Sequence, residues 1–271
     1  MAFEVVDLSP RIASEIKTDV ATLVSGRHAR DIRDTLERRG VVVFRNLDID
    51  DTQQVAIART LGNIPDNEGE EGIYKISLDG SVNANADYLK GSLMWHADGS
   101  LQKYPNLGAL LRPITLSAEG GQTEFANTYA AYDDLPDQEK AEYDTLRVTH
   151  SAEASQYYVR PEMRYEEVCH WQKVPVKDCP LVWQHQSGRR SLLLGSTADY
   201  VRGVTIEQSR ALLAKLRDWA TQPHYVYRHD WQPGDLLIWD NTGTMHRVLP
   251  YREDSGRLMH RTILAGEEPL N

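Results

Sequence analysis

Nine histidines stand in this 271-residue chain, and one of them, His96, is followed two positions on by an acid, in Trp95-His96-Ala97-Asp98. On an extended strand, residues two apart share a face, so an imidazole and a carboxylate at this spacing can ligate one ion. Alone the pair is a weak signal, because 22 aspartates spread through the chain give about 0.7 such pairs by chance. A second segment adds to it. Residues 234–241, GDLLIWDN, read as a strand and turn, followed by Thr244-Met245-His246 and then by Arg257 and Arg261. A strand, a turn and a lone histidine could supply a third ligand facing back toward His96 and Asp98. Two histidines and one carboxylate on one face of an octahedron leave three positions open, which suits Fe(II) that must bind both a co-substrate and O2. A structural zinc site would instead be closed by four protein ligands. On the residues alone, a zinc hydrolase on the same three ligands, a binding protein that keeps the site without turnover, and two hydrogen-bonded histidines beside a turn aspartate all stay open.

These residues need elements to hold them. Residues 28–39, HARDIRDTLERR, set Ile32 and Leu36 four apart among charges, which predicts an amphipathic helix stopped by Gly40. Val41-Val42-Val43-Phe44 reads as a buried strand. Asp50 or Asp51 can cap a second helix that runs to about Leu61 and ends at Gly62. From 63 to 91 the pattern dissolves into Asn, Asp, Glu and Gly around one candidate strand, 73–78; irregular stretches of this length are functional loops or disordered ones. Short strands are predicted at 109–111, 122–125, 181–183, 191–194, 225–229 and 235–239, and helices at about 136–146 and 205–219. In the last helix Leu212, Leu213, Leu216 and Trp219 form one apolar stripe suited to core packing. Many short strands with a few helices point to a sandwich or barrel with helical additions. No repeat or linker interrupts the chain, so residues 1–271 read as a single domain.

Thirty Lys and Arg against forty Asp and Glu give a net charge of −10. That balance argues against a broad phosphate-binding surface, and so against nucleic acid as a partner. No apolar run approaches the roughly 20 residues of a membrane-spanning helix. The N-terminal MAFEVVDLSPRIASEIK carries acids where a signal peptide has bases. Two cysteines, Cys169 and Cys179, make no disulfide framework, and with His170 and His185 they match no strong metal-binding spacing. The expectation is a cytoplasmic enzyme.

Taken together, the segments resemble the taurine dioxygenase-like (TauD/TfdA) family of Fe(II)/2-oxoglutarate-dependent oxygenases, from about Val41 to the C-terminus and most densely at 95–100, 120–132 and 239–266. The resemblance implies His96, Asp98 and His246 as iron ligands and catalytic centre. It implies Thr123, in Gly120-Gly121-Gln122-Thr123, and Arg257, eleven residues after His246, as binders of the distal carboxylate of 2-oxoglutarate. Arg261, four residues further, matches a second family arginine that meets an anionic group on the primary substrate, and Ser92 stands at a substrate-contacting position where asparagine is common. Tyr104, Asn83, Asn85 and Tyr88 are pocket candidates from loop composition. The chemistry agrees with the resemblance. Iron and Asp98 together leave about one positive charge for a dianion whose near end chelates the metal. The far carboxylate must then find a cation, and an arginine fork with a threonine hydroxyl suits it.

The implied fold is mainly β with flanking helices, built on a double-stranded β-helix (jelly roll, cupin-like) core. The implied reaction oxidises, most simply hydroxylates, a small anion-bearing organic molecule, using Fe(II), 2-oxoglutarate and O2 and yielding succinate and CO2. A homo-oligomer, dimer or tetramer, without nucleic-acid or membrane partners, is expected. Related halogenases replace the metal-binding carboxylate, so Asp98 argues against halogenation. The alternatives are a metal-dependent hydrolase on the same site and a non-catalytic jelly-roll binding protein. Lid-like insertions are expected at about 63–92 and 152–180. Glu68-Gly69-Glu70-Glu71 reads as a solvated loop face. Residues 46–150 hold eighteen acids and seven bases, so the negative charge gathers on the half with the first lid.

Overall fold

The structure, a computed structural model, describes residues 3–66 and 68–270. Its largest sheet has seven strands in the spatial order β1 (Glu4–Asp7), β2 (Ser14–Lys17), β3 (Val41–Phe44), β13 (Leu236–Asp240), β5 (Gly108–Thr115), β15 (Leu258–Leu264) and β4 (Tyr74–Ile76). All neighbours are antiparallel except β2 and β3. Facing it, β6 (Thr123–Asn127) lies between β12 (Val226–His229) and β14 (Thr244–Val248). A third sheet sets β7 (Arg147–His150) between β11 (Ala198–Val201) and β8 (Lys177–Pro180), and β9 (Val182–Gln184) pairs with β10 (Arg190–Leu192). Largely antiparallel sheets packed against one another make this the expected double-stranded β-helix, mainly β with helices outside.

Strand β3 shows why the core forms here. Val41 and Val43 point inward to Phe125, Leu237, Trp239 and Met259; Val42 and Phe44 point outward to Ile32, Leu36, Ile57 and Leu61. A strand covered on both faces gains from apolar residues at every position, so the run carries no polar alternation. The outer cover is the predicted pair of helices, Ala29–Arg39 and Asp51–Leu61. The first ends at Gly40 in the left-handed region (φ 70°), and the second opens on a reciprocal capping box between Asp50 and Gln53. Helix Ile206–Ala220 is capped by Thr205 and buries Leu216 in a second core behind β7, β10 and β11, with Leu212, Leu213 and Trp219 packed beside it.

Several elements depart from the sequence reading. The N-terminal hairpin β1–β2 and the strands β7, β8, β11, β14 and β15 were not predicted as elements. The 152–180 segment contains helices Ala152–Val159 and Tyr165–Trp171, the first capped by Ser151. It meets the 63–92 segment through an Arg160–Asp87 ion pair (2.9 Å) and a Tyr88–Trp171 stack. His96 and Asp98 do not share an extended strand. His96 makes a single bridge to His246, and Asp98 opens a turn through Gly99. Among the described residues, no helix is long and apolar enough to cross a membrane.

Candidate active site

His246 sits in the middle of β14, and His96 is tied to it backbone to backbone: each N–H donates to the other's carbonyl, at 3.0 and 2.8 Å. This exchange sets the two rings 4.2 Å apart, tilted at 45°. Asp98 Oδ1 lies 3.8 Å from His96 Nε2, and one ligand atom from each of the three residues lies within 4.8 Å of the others. Among the described residues no other cluster of His, Cys, Asp and Glu converges this way, and Cys169, His170, Cys179 and His185 form no such group. Nδ1 of His96 is 2.8 Å from the Met94 carbonyl, which can only accept; the proton therefore sits on Nδ1 and Nε2 keeps its lone pair. Burial, helped by His96 and Arg261, pushes the His246 imidazole down to about 3 and keeps it neutral. Burial opposes charge on Asp98, but its cationic surroundings, Arg261 among them, outweigh it and hold the carboxyl below its ordinary value. Neutral imidazoles and an ionised carboxylate are the states in which these groups bind a metal.

Two neighbours fix the turn that carries Asp98. Asn241 is buried at the end of β13; its Oδ1 accepts from the Asp98 N–H at 2.9 Å, and its Nδ2 donates to the carbonyls of Asp98 (2.5 Å) and Asn106 (3.2 Å). Gly195 lies against the other side at φ 121°, where a Cβ would sit 3.0 Å from His96 Cα, and Ser196 N–H donates to the Trp95 carbonyl at 2.8 Å. Only glycine combines that conformation with that approach.

A second group lies on the same cavity wall. Arg257 is 3% exposed and has no carboxylate partner among the described residues. One terminal nitrogen donates to the Gly121 carbonyl at 3.1 Å, the guanidinium lies over the Tyr251 ring, and Nε has no partner. Burial pushes its pKa below the ordinary value. A buried unpaired guanidinium costs several kcal/mol unless an anion meets it, on the order of 3–5. Gly121 at φ 76° makes the room, since a Cβ there would lie 2.8 Å from Arg257 Nε. Thr123, also buried, accepts from Trp231 Nε1 at 2.9 Å. An indole N–H can only donate, so the threonine keeps its own proton for another acceptor.

His96, Asp98, His246, Thr123, Arg257 and Arg261 all line one cavity of about 310 Å³, room for small molecules. Arg261 Nε donates to Glu68 Oε1 at 3.3 Å and Nη1 lies 3.5 Å from Asp98 Oδ2, while Nη2 has no partner among the described residues. Glu68 was read as a solvated loop residue and is instead buried at 6% exposure; Glu70 and Glu71 are exposed as expected. Burial raises the Glu68 carboxyl, against the pull of Arg261. Ser92 and Tyr88 line the cavity, although the Ser92 hydroxyl is engaged by the Leu89 carbonyl at 2.6 Å. Tyr104 is 47% exposed and lies outside the cavity wall. Asn83 is spent on the Lys75 carbonyl (2.6 Å) and the Asn85 N–H. His150 is fully buried, its Nδ1 against Thr197 Oγ1 at 2.9 Å.

Residues 4–263 match the model of the taurine catabolism dioxygenase TauD, TfdA family. The chain belongs to this family. It is 34% identical over 266 residues to the alpha-ketoglutarate-dependent 2,4-dichlorophenoxyacetate dioxygenase of Burkholderia sp. (strain RASC), covering 90% of this chain and 87% of the relative. It is 29% identical over 285 residues to the alpha-ketoglutarate-dependent sulfate ester dioxygenase of Pseudomonas putida, covering 100% and 92%. Among solved structures, AAD-2 in complex with Mn(II) and N-oxalylglycine superposes with a TM-score of 0.86 at 33% identity over the full length of both chains. This TauD/TfdA protein is an Fe(II)- and 2-oxoglutarate-dependent dioxygenase, an oxidoreductase that acts with O2 on a small organic molecule. The hydrolase and non-catalytic alternatives fall with that finding.

Sequence reasoning missed Asn241, Trp231, Glu68 and Gln156. Gln156, on helix Ala152–Val159, lines the cavity at 4% exposure with its Nε2 unpartnered. None carries a local signature, because each reaches this wall or its neighbours only through the folding together of distant strands and loops.

Proposed function

We propose that His96, Asp98 and His246 hold the Fe(II), that Thr123 and Arg257 hold the distal carboxylate of 2-oxoglutarate, and that Arg261 faces an anionic group on the primary substrate. The observation that carries this reading is Arg257, a buried cation with no carboxylate beside it among the described residues, on the wall that also bears the three ligands. The donor set fits Fe(II): two neutral imidazoles and one carboxylate leave positions open, and the unpaired guanidinium fits an anionic co-substrate. When bound, Fe(II), 2-oxoglutarate and O2 supply the oxidising power for a substrate C–H bond, with release of succinate and CO2. The protein's own work is placement. Asn241 holds the Asp98 turn, Met94 fixes the His96 tautomer, and Trp231 aims the Thr123 hydroxyl. Arg261 turns one Asp98 oxygen away from His96 while keeping Nη2 for the substrate. Ser92 contributes cavity wall; Tyr104, outside that wall, contributes nothing to this reading.

We read residues 1–271 as one dioxygenase domain, with the 63–92 and 152–180 insertions as lids that exclude water from the loaded site. The substrate is a small anion such as an aryloxyacetate or an alkyl sulfate, the types named for the relatives. The −10 net charge favours a free small molecule over nucleic acid. A cytoplasmic homo-oligomer completes the reading. Succinate formation on a panel of aryloxyacetates and alkyl sulfates tests it: one class should stimulate turnover well above the uncoupled rate. No stimulation by any anion, with stimulation by neutral analogues, would overturn the substrate assignment.

A further inference from the structure

The Arg261–Glu68 pair joins the walls of two spaces: Arg261 lines the 310 Å³ cavity, and Glu68 lines a wide cleft of about 940 Å³ whose wall also includes Asp51, Asp66, Glu70 and Glu71 against Arg59 and Lys75. Glu68 closes on Arg261 from the cleft side, so its carboxylate does not occupy substrate space, yet its charge lies within contact distance of the guanidinium. Burial raises the Glu68 carboxyl, and Arg261 and the Ile263 backbone N–H act against that rise. This is a built position rather than a passing surface pair: both side chains are mostly covered, at 17% and 6% exposure.

The charges around the cavity then close on themselves. Two carboxylates (Asp98 and Glu68), two guanidiniums (Arg257 and Arg261), a divalent metal and the 2-oxoglutarate dianion cancel. Without Glu68 the loaded centre would carry one positive charge, ready for a singly charged anion. With Glu68, each negative charge brought by the substrate remains in excess. We propose that Glu68 is a specificity-determining residue that limits the negative charge of the primary substrate, favouring zwitterionic and singly charged molecules over dianions. The proposal rests on the reading of Arg261 as the substrate's anion contact. It gives the acidic half of the sequence a local role.

Because the repulsion is Coulombic, its effect on the logarithm of affinity scales with substrate charge. One scaffold carries the test: phenoxyacetamide (neutral), phenoxyacetate (one charge) and phenoxymethylphosphonate (two charges at pH 8.5). Affinities are read by calorimetry on protein loaded with Mn(II) and N-oxalylglycine, without turnover. Glu68→Gln should leave the neutral probe unchanged, tighten the monoanion roughly 5-fold and tighten the dianion roughly 25-fold. Glu68→Asp keeps the charge and should keep the wild-type ranking. An unchanged melting temperature verifies the fold of each variant, and N-oxalylglycine, placed at Arg257 rather than Arg261, should tighten in Glu68→Gln far less than the dianionic probe. Equal shifts for all three probes, no shift, or a ranking flattened as much by Asp as by Gln would overturn the proposal. If no probe binds any form while N-oxalylglycine does, the Arg261 reading fails and the proposal with it. If N-oxalylglycine itself does not bind wild type, the co-substrate assignment is what has failed.

Discussion

Arg112 and Arg257 belong to the same part of the molecule and are treated in opposite ways. On the outer face of the large sheet, Arg112 Nε donates to Gln54 Oε1 at 2.9 Å and the guanidinium also pairs with Asp51. Asp51 is 2.7 Å from His260 Nδ1, and Gln54 Nε2 returns hydrogen bonds to the His260 carbonyl and Thr262. The network fastens helix Asp51–Leu61 to β5 and β15, and its polar groups find partners within the protein. On the inner side, Arg257 has no carboxylate among the described residues, and Arg257 Nε and His246 Nδ1 are buried without partners among them. Residues 260 and 261 show the same split within one strand: His260 points out to Asp51, and Arg261 points in to Asp98. Unmet polar groups are rare in folded proteins. Their concentration on one wall marks where the protein has kept binding capacity for something else.

The contrast breaks most directly at Arg257. Arg257→Gln should raise the KM for 2-oxoglutarate roughly 100-fold while leaving the melting temperature of the metal-free protein unchanged or higher, since a buried unpaired charge is removed. A lower melting temperature with an unchanged KM would place Arg257 in the scaffold instead. Asn241→Ala comes next. Loss of the clamp on the Asp98 turn should weaken metal affinity by about 10- to 100-fold, read by Mn(II) titration. An unchanged titration would make Asn241 incidental to the ligand set.

Asp240, beside Trp239 but outside the cavity wall, sharpens the comparison through pH. Burial raises its carboxyl to about 6 against the opposing hydrogen bonds from Thr242. The folded value exceeds the ordinary 3.8, so the associated stability is present below about pH 4 and is lost as pH rises through about 6. Asp240→Asn should therefore melt higher than wild type at pH 8, by about 3 kcal/mol of stability, with little difference at pH 4. Equal melting shifts at both pH values would contradict the buried-carboxyl account. The smallest effect belongs to Arg112→Gln, expected to cost about 1–2 kcal/mol of stability with the 2-oxoglutarate KM within about 2-fold of wild type.

How far the sequence spoke depended on whether a signal was local. Gly40, the Asp50–Gln53 box and the Val41–Phe44 run carry their own stop, cap and burial pattern, and those elements formed where expected. Strands β14 and β15, which bear His246 and Arg261, were not read as strands. Neither TMHRV nor LMHRTIL alternates, because His246 and Arg261 hold inward positions that apolar side chains would otherwise take. The cluster His96, Asp98 and His246 was legible from residue types and family resemblance, although a cross-strand bridge and a turn bring it together rather than one strand. Glu68 was misread because a charged loop residue normally stays in solvent, and only a partner 193 positions away reverses that.

The central claim is that the metal is held by His96, Asp98 and His246, with 2-oxoglutarate anchored beyond it on Arg257. Anaerobic titration of Fe(II) with 2-oxoglutarate, followed through the weak visible charge-transfer band of the chelate, tests it most directly. Wild type should show a saturable band without substrate, His246→Ala should show none, and Arg257→Gln should show the same band at far higher 2-oxoglutarate. A band of wild-type strength and affinity in both variants would contradict the account.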